Sequence, residues 1–144
     1  MSNVELELQR REIDVLKMCQ HPNIIRMLDI YENPDYIYMV LEYMEGGDLY
    51  NFLLKRSFKI PEERARQILH DMGAALFYLH SYGITHRDLK LENVMMTSND
   101  DFGRPKLVDF GLSKILGPGE TVSDTVGTMS YIAPEVLLQV PYDK

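Results

Sequence analysis

The sequence predicts an α+β fold, and three observations support this class. An amphipathic helical pattern opens the chain, two strand-like segments follow, and a long helical stripe then precedes several short strand-like segments. The 144 residues suit one domain, and the 45% that are hydrophobic can bury a core. No internal repeat and no linker rich in Pro, Gly or Ser divides the sequence.

The first part of the chain predicts one helix and two strands. Apolar residues recur at helical spacing between residues 4 and 19, and a His-Pro pair ends the pattern. Segments 23–31 and 36–43 are rich in Ile, Met, Val and Tyr, and turn residues separate them. These two segments predict a strand pair.

The middle of the chain predicts two further helices. Asp48 follows a Gly-Gly pair and is placed to cap a short helix. Pro61 suits the first turn of a longer helix, which Gly83 ends. Because Leu69 and Phe77 flank the apolar stripe of this longer helix, we expect it to be buried on most sides.

The last third contains the tripeptide Asp-Phe-Gly twice. Segments 94–97 and 106–109 read as short strands, and pairing them as a hairpin would place the first copy, which begins at Asp101, at the tip. The second copy begins at Asp109, at the end of a buried strand pattern, and Gly111 lets the chain bend just after it. We expect Asp109 to be functional and Asp101 to be a turn residue.

Composition excludes several functional classes. A net charge of −7 argues against binding to duplex nucleic acid, whose phosphates need clustered Lys and Arg. No apolar run approaches the roughly 20 residues that a membrane-spanning helix needs. The single cysteine, Cys19, cannot close an internal disulfide, and no basic-then-apolar leader follows Met1. We therefore expect a cytoplasmic protein.

Segment 86–94, His-Arg-Asp-Leu-Lys-Leu-Glu-Asn-Val, carries an acid, a base and an amide at fixed offsets. With Asp109 and the segment 127–135, Gly-Thr-Met-Ser-Tyr-Ile-Ala-Pro-Glu, it resembles the catalytic segments of eukaryotic protein kinases. The resemblance implies part of a two-lobe fold. Residues 1–42 would be the end of the small lobe, and residues 43–144 the first part of the helical large lobe with its activation segment.

The resemblance implies ATP-dependent phosphoryl transfer to Ser or Thr hydroxyls of protein substrates. Asp88 would accept the proton of the substrate hydroxyl, and Lys90 would neutralise charge on the transferring group. Asn93 and Asp109 would hold Mg²⁺ against the phosphates of ATP. Thr128, together with Lys90, indicates the serine/threonine type.

The resemblance also implies a binding site for the adenine base and the ribose of ATP. Leu41 matches the gatekeeper, and the backbone of Glu42 and Met44 would bond the base. Met95 would lie under the base, and Asp48 would face the ribose or a substrate side chain.

For two further residues a structural alternative competes with the chemical one. Glu12 falls where the family pairs a helix glutamate with a strand lysine; the alternative is a residue on a solvated helix face. We expect His86 to pack in the core beside Phe110, Leu16 and Met27 rather than to act as a base or ligand.

The activation segment carries an acid where many kinases carry a phosphorylated threonine. Asp124 precedes Thr128 by four residues, and its carboxylate could pair with Arg87 in place of a phosphate; the alternative is a solvated loop residue. The sequence most resembles the calcium/calmodulin-dependent and calcium-dependent protein kinases. Glu92 and Asp48 match acidic positions in that group, which predicts a preference for basic residues upstream of the phosphorylated residue.

The family pattern extends beyond both ends of this chain. No glycine-rich loop and no Val-Ala-Ile-Lys-like strand precedes Glu12, and the helices expected after Lys144 are missing. We therefore expect a kinase domain truncated at both ends. The alternative is a catalytically inactive, kinase-like binding or scaffold protein.

Overall fold

The computed structural model describes residues 3–34 and 36–144. Helix α1 spans Asn3–Met18, and an antiparallel pair follows, with β1 at Met27–Glu32 and β2 at Ile37–Leu41. The predicted helix and strand pair are confirmed. Strand β1 begins later than predicted, because the preceding residues bond elsewhere: Leu107 N–H donates to Asn23 O and Ile25 N–H donates to Leu107 O.

Two helices form the middle of the chain. Strand β3, Gly47–Asp48, leads into α2, Leu49–Leu54, and the Asp48 carboxylate caps this helix by accepting from Asn51 N–H at 2.9 Å. Helix α3 spans Glu62–Ser81. The expectation that α3 is buried on most sides is wrong, because Leu69 and Phe77 are 72% and 79% exposed. Only the face that packs against the later strands is buried.

Short strands complete the fold. Strand β4, Ile84–Thr85, pairs with β7, Lys114–Ile115, and a 3₁₀ turn at Leu91–Asn93 leads into β5, Val94–Met96. Strand β6, Pro105–Leu107, pairs with β5 in the antiparallel hairpin that the sequence predicts, and β3 lies on the other side of β5. A second 3₁₀ turn at Met129–Tyr131 and helix α4, Pro134–Leu137, close the chain.

One hydrophobic core joins these elements. Side chains from α1, α2, α3 and the short strands meet there, among them Leu16, Phe52, Leu79, Leu107 and Phe110. Among the described residues, no helix has the length and apolar character needed to span a bilayer. The polar residues of segment 86–94 lie between this core and the surface, where β4, the first 3₁₀ turn and β5 follow one another.

Candidate functional site

The β5–β6 hairpin brings two predicted metal ligands to the same end. Asn93 directly precedes β5, and Asp109 lies two residues beyond the end of β6. Val94 pairs with Leu107, and Val108 N–H donates to Asn93 O at 2.9 Å. Because an antiparallel hairpin returns the chain to its starting edge, residues 93 and 109 flank the same open end.

The other end of this hairpin holds the first Asp-Phe-Gly copy. Asp101 lies in a turn with an 87% exposed side chain, as predicted from its neighbours. Asp100 organises the turn, since its carboxylate accepts from the Ser98 hydroxyl at 2.7 Å and from Phe102 N–H at 2.9 Å. The turn is therefore structural, and Asp109 is the copy at the end that carries the polar cluster.

Three predicted catalytic residues converge on the carboxylate of the fourth, Asp88. The Thr128 hydroxyl donates to Asp88 Oδ1 at 2.6 Å, and Lys90 Nζ donates to the Thr128 oxygen at 2.7 Å. Lys90 Nζ also lies 3.4 Å from Asp88 Oδ2. Asn93 Nδ2 donates to Asp88 O at 2.8 Å and to Asp88 Oδ2 at 3.0 Å. Tertiary folding thus joins Thr128 to a segment 40 residues earlier.

This network keeps the central carboxylate ionised. Burial alone would raise the pKa of Asp88, but the hydrogen bond from Thr128 and the positive charge of Lys90 outweigh it, so the pKa lies below its ordinary value. At neutral pH Asp88 is therefore a charged hydrogen-bond acceptor, with both oxygens already oriented by donors.

His86 is structural, as predicted, and links the two acidic residues. Its Nδ1 accepts from Asp88 N–H at 3.2 Å, so the proton resides on Nε2, which donates to Val108 O at 3.0 Å. The imidazole packs edge-on against Phe110, with 5.1 Å between ring centroids. Burial lowers the pKa of His86. The neutral ring therefore fixes the backbone of residue 88 and the approach to Asp109.

Two backbone outliers fall at this site. Arg87 has φ of 67° and Asp109 has φ of 62°, in the left-handed region that residues other than Gly rarely adopt. Such conformations persist where surrounding structure enforces them, and they concentrate at functional sites. Here they lie immediately before Asp88 and at Asp109 itself.

The donor set around Asn93 and Asp109 suits a hard divalent cation. Both Asn93 Nδ2 hydrogens are directed at Asp88, which leaves Oδ1 as the atom available to a cation. The Asp109 side chain is exposed, and its Oδ1 accepts only a long bond, 3.3 Å, from Gly111 N–H. Amide and carboxylate oxygens are Mg²⁺ ligands. The described residues contain no cluster of three or more His, Cys, Asp or Glu suited to a metal. Phosphate oxygens would have to supply further ligands.

Three predicted adenine-site residues, Asp48, Met95 and Glu42, are linked through strand pairing and Lys106. Met95 pairs with Asp48 on one side and with Lys106 on the other. Lys106 Nζ reaches across to Glu42 Oε1 at 2.6 Å, and Arg26 N–H donates to the same oxygen at 2.8 Å. Glu42 is thereby tied to β6, the strand that leads to Asp109.

The other predicted adenine-site residues differ in their exposure and contacts. Leu41 ends β2 and is 38% exposed, whereas Met44 is buried. Both Asp48 oxygens bond Asn51, so the carboxylate is a helix cap. Burial would raise the pKa of Asp48, but these bonds outweigh it and the pKa lies below its usual value. The assignment of Asp48 to ribose or substrate stays a prediction.

Glu12 faces the second Asp-Phe-Gly copy. Its half-buried carboxylate has a raised pKa, first because of burial and second because of the negative charge of Asp109, while the Phe110 backbone amide acts in the opposite direction. The carboxylate is therefore partly shielded from water and lies near Asp109, and its assignment as the helix glutamate stays a prediction.

Asp124 does form the predicted ion pair. Arg87 Nη1 lies 3.0 Å from Asp124 Oδ2, and the arginine side chain is only 4% exposed, with its Nε donating to Leu112 O at 2.7 Å. Lys114 Nζ also bonds Asp124 Oδ2, at 3.1 Å. Hydrogen bonds from Arg87 and then Lys114 lower the pKa of Asp124. Sequence reasoning missed Lys114 and Lys106, since no local pattern marks their partners.

Comparisons with known proteins agree with this geometry. The protein kinase domain family matches residues 2–144. A probable myosin light chain kinase of Dictyostelium discoideum is 40% identical over 138 residues, which is 96% of this chain and 39% of the relative. The serine/threonine-protein kinase cds1 of Schizosaccharomyces pombe is 43% identical over 132 residues, 91% of this chain and 28% of the relative. The ovarian-specific serine/threonine-protein kinase Lok of Drosophila melanogaster is 42% identical over 127 residues, 88% and 26% respectively. The chain thus spans less than two-fifths of these relatives.

Proposed function

The chain belongs to the protein kinase domain family, and from that premise we propose that it carries the phosphoryl-transfer centre of a serine/threonine protein kinase. The reaction would move the γ-phosphoryl group of ATP to a Ser or Thr hydroxyl of a protein. The observation that carries the proposal is the convergence of Thr128, Lys90 and Asn93 on Asp88. In this proposal residues 1–42 belong to the small lobe and residues 43–144 to the large lobe.

Asp88 is the group that receives the substrate hydroxyl. The hydroxyl oxygen forms a bond to the γ-phosphorus while the bond from phosphorus to the bridging oxygen of ADP breaks, and the hydroxyl proton passes to the Asp88 carboxylate. A lowered pKa makes Asp88 a weak base. This suits a loose transition state, in which the proton leaves late and the main task of the carboxylate is to orient the hydroxyl.

Lys90 and Thr128 complete the hydroxyl-binding end. Lys90 Nζ is held between the Thr128 hydroxyl and the Asp88 carboxylate, at 2.7 Å and 3.4 Å. A cation fixed there lies beside the path of the transferring group and stabilises its charge without reorganising. Thr128 orients both partners, since its oxygen accepts from the lysine and its hydrogen goes to the aspartate.

Asn93 Oδ1 and the Asp109 carboxylate are the atoms that would hold Mg²⁺. The bound ion would neutralise phosphate charge and align the phosphates of ATP. The His86 imidazole holds the backbone near both acids, because it accepts from Asp88 N–H and donates to Val108 O, next to Asp109. The backbone of Asp109 is left-handed, and this residue lies just beyond the end of the β5–β6 hairpin.

A protein substrate with basic residues upstream of the phosphorylated residue fits the surface charge. Glu92 is exposed beside the catalytic loop, and the chain has a net charge of −7. Asp48 is already engaged in capping, so Glu92 is the stronger of the two predicted contacts. Replacing upstream arginines in a peptide panel should raise KM more than it lowers kcat. Equal efficiency across the panel would contradict this preference.

Nucleotide binding and phosphate transfer test the proposal together. ATP should bind more tightly with Mg²⁺ than without it, and labelled phosphate should pass from ATP to a basic Ser/Thr peptide. Asp88→Asn should abolish transfer but retain nucleotide binding. Asp101→Asn is the matched control, because it removes one exposed carboxylate at the far end of the hairpin. Transfer that survives Asp88→Asn unchanged would refute the assigned role.

A kinase-like protein that binds without catalysis is the second candidate. Its supporting observation is that burial and then the like charge of nearby Asp109 raise the pKa of the Glu12 carboxylate, so these two acids repel one another. Mg²⁺-dependent nucleotide binding with no transfer to any Ser/Thr peptide would select this candidate.

A further inference from the structure

Segment 124–128 lies along segment 87–90 through successive contacts. Asp124 pairs with Arg87, and Thr128 bonds both Asp88 and Lys90. The contacts follow one another in order along both segments. The alignment of segment 124–128 with segment 87–90 therefore decides whether the Thr128 hydroxyl contacts the Asp88 carboxylate.

Gly127 makes this contact close. Its φ is 121°, and a Cβ at this position would lie 2.9 Å from Arg87 O and 3.3 Å from Ile132 Cγ1. The backbone of residue 127 thus sits directly against the residue that precedes Asp88. Any slip of the segment along the loop would move Thr128 away from Asp88.

Tyr142 forms hydrogen bonds with the start of this segment and with Val122 just before it. Val122 N–H donates to Tyr142 O at 2.8 Å and Tyr142 N–H donates to Val122 O at 2.9 Å, an antiparallel bridge. The Tyr142 hydroxyl donates to Asp124 O at 2.8 Å. Val122 is only 5% exposed, so the bridge is anchored in packed structure. The Asp124 residue is therefore held at its carbonyl by Tyr142 and at its carboxylate by Arg87 and Lys114.

We propose that Tyr142 is a positioning residue, which sets the register of segment 124–128 and so delivers Thr128 to Asp88. This proposal rests on the proposed function. The hydrogen bonds of Tyr142 go to Asp124 and Val122 and not to Asp88, Lys90 or Thr128. Its hydroxyl acts on the Asp124 backbone, and Asp124 transmits the restraint because its side chain is fixed on Arg87 in the loop that bears the catalytic aspartate.

Tyr142→Phe isolates this role, because it removes one hydroxyl and keeps the aromatic ring and the backbone bridge. Because one hydrogen bond is lost, we expect kcat for a Ser/Thr peptide to fall roughly 3- to 10-fold. The KM for ATP should not change. Tyr82→Phe is the control: Tyr82 is 54% exposed at the end of α3 and should behave as wild type. In an Asp124→Ala background, Tyr142→Phe should have no further effect, since the transmitting side chain is gone.

Amide hydrogen exchange gives a readout that does not need activity. Exchange in the peptide covering residues 122–131 should be faster in Tyr142→Phe than in wild type, and unchanged in Tyr82→Phe. If wild type transfers no phosphate, the proposed function fails while exchange still tests the restraint. Equal exchange in the two tyrosine variants would overturn the proposal, and so would additive effects of Tyr142→Phe and Asp124→Ala.

Discussion

The ion pair between Lys106 and Glu42 allows a quantitative test of how this fold is held together. The two side chains are 16% and 25% exposed, and their charged atoms lie 2.6 Å apart. Lys106→Met removes the ammonium group and keeps most of the aliphatic length. The Glu42 carboxylate then retains the Arg26 N–H bond but loses its cation in a largely buried position.

The expected loss of stability follows from the burial of the Lys106–Glu42 ion pair. Removing one partner of a fully buried pair costs about 3 to 5 kcal/mol, and a hydrogen bond to a charged group contributes about 1.5 to 3 kcal/mol. Water reaches part of both side chains here, so we expect Lys106→Met to lower the free energy of unfolding by about 1.5 to 2.5 kcal/mol. For a chain of this size that corresponds to a melting temperature lower by roughly 5 to 10 °C.

Urea unfolding followed by circular dichroism measures this cost. Lys106→Met, Glu42→Gln and the double variant form a cycle whose coupling energy should exceed about 1 kcal/mol. Arg66→Met is the matched control, because Arg66 and Glu63 lie 2.7 Å apart with side chains 75% and 70% exposed. That variant should change stability by less than about 0.5 kcal/mol. Equal costs for the two pairs would refute the argument that burial, not distance, decides their value.

Three further predictions concern the site. The pKa of His86 is lowered in the folded chain, so below about pH 6.5 the unfolded chain binds a proton that the folded chain does not. The free energy of unfolding should therefore decrease by up to about 1.4 kcal/mol for each unit by which the pH is lowered. His86→Phe should flatten this dependence in urea unfolding between pH 7.5 and 5.5, and an unchanged slope would exclude His86 as its source. Thr128→Val should slow phosphate transfer about 10- to 100-fold through loss of the bond to Asp88, whereas Thr128→Ser, which keeps the hydroxyl, should remain within about threefold of wild type. In calorimetric titration, Asp109→Asn should remove the gain in ATP affinity that Mg²⁺ provides; the idea fails if Asp101→Asn removes it equally.

Local patterns were sufficient for much of the architecture. Helical spacing, caps and breakers predict α1, α2 and α3, and turn residues predict the β5–β6 hairpin. The choice between Asp101 and Asp109 also follows from local context, because turn-favouring residues surround one and a strand precedes the other. Such signals are readable because they reflect backbone period and the conformations of neighbouring residues.

The residues of the site could be predicted, but not all of their contacts. Family motifs indicate Asp88, Asn93 and Thr128 by type and order, and the structure shows the hydrogen bonds that join them. The same motifs assign Asp48 to a ligand, whereas both of its oxygens bond Asn51. Resemblance supplies the expected role of a position, and the neighbouring side chains decide which of its atoms are still available.

Tertiary structure alone decided the long-range partners. Lys106 and Glu42 are 64 residues apart in the sequence. Tyr142 follows α4 in the sequence and bonds Asp124, which precedes it. Exposure was decided in the same way, since Leu69 and Phe77 lie on a face of α3 that its packing leaves uncovered. The amino-acid order by itself determines which segments are helical, extended or turned, because those preferences act between near neighbours. Which charges meet and which apolar faces are covered depends on how the segments pack, and no local pattern carries that information.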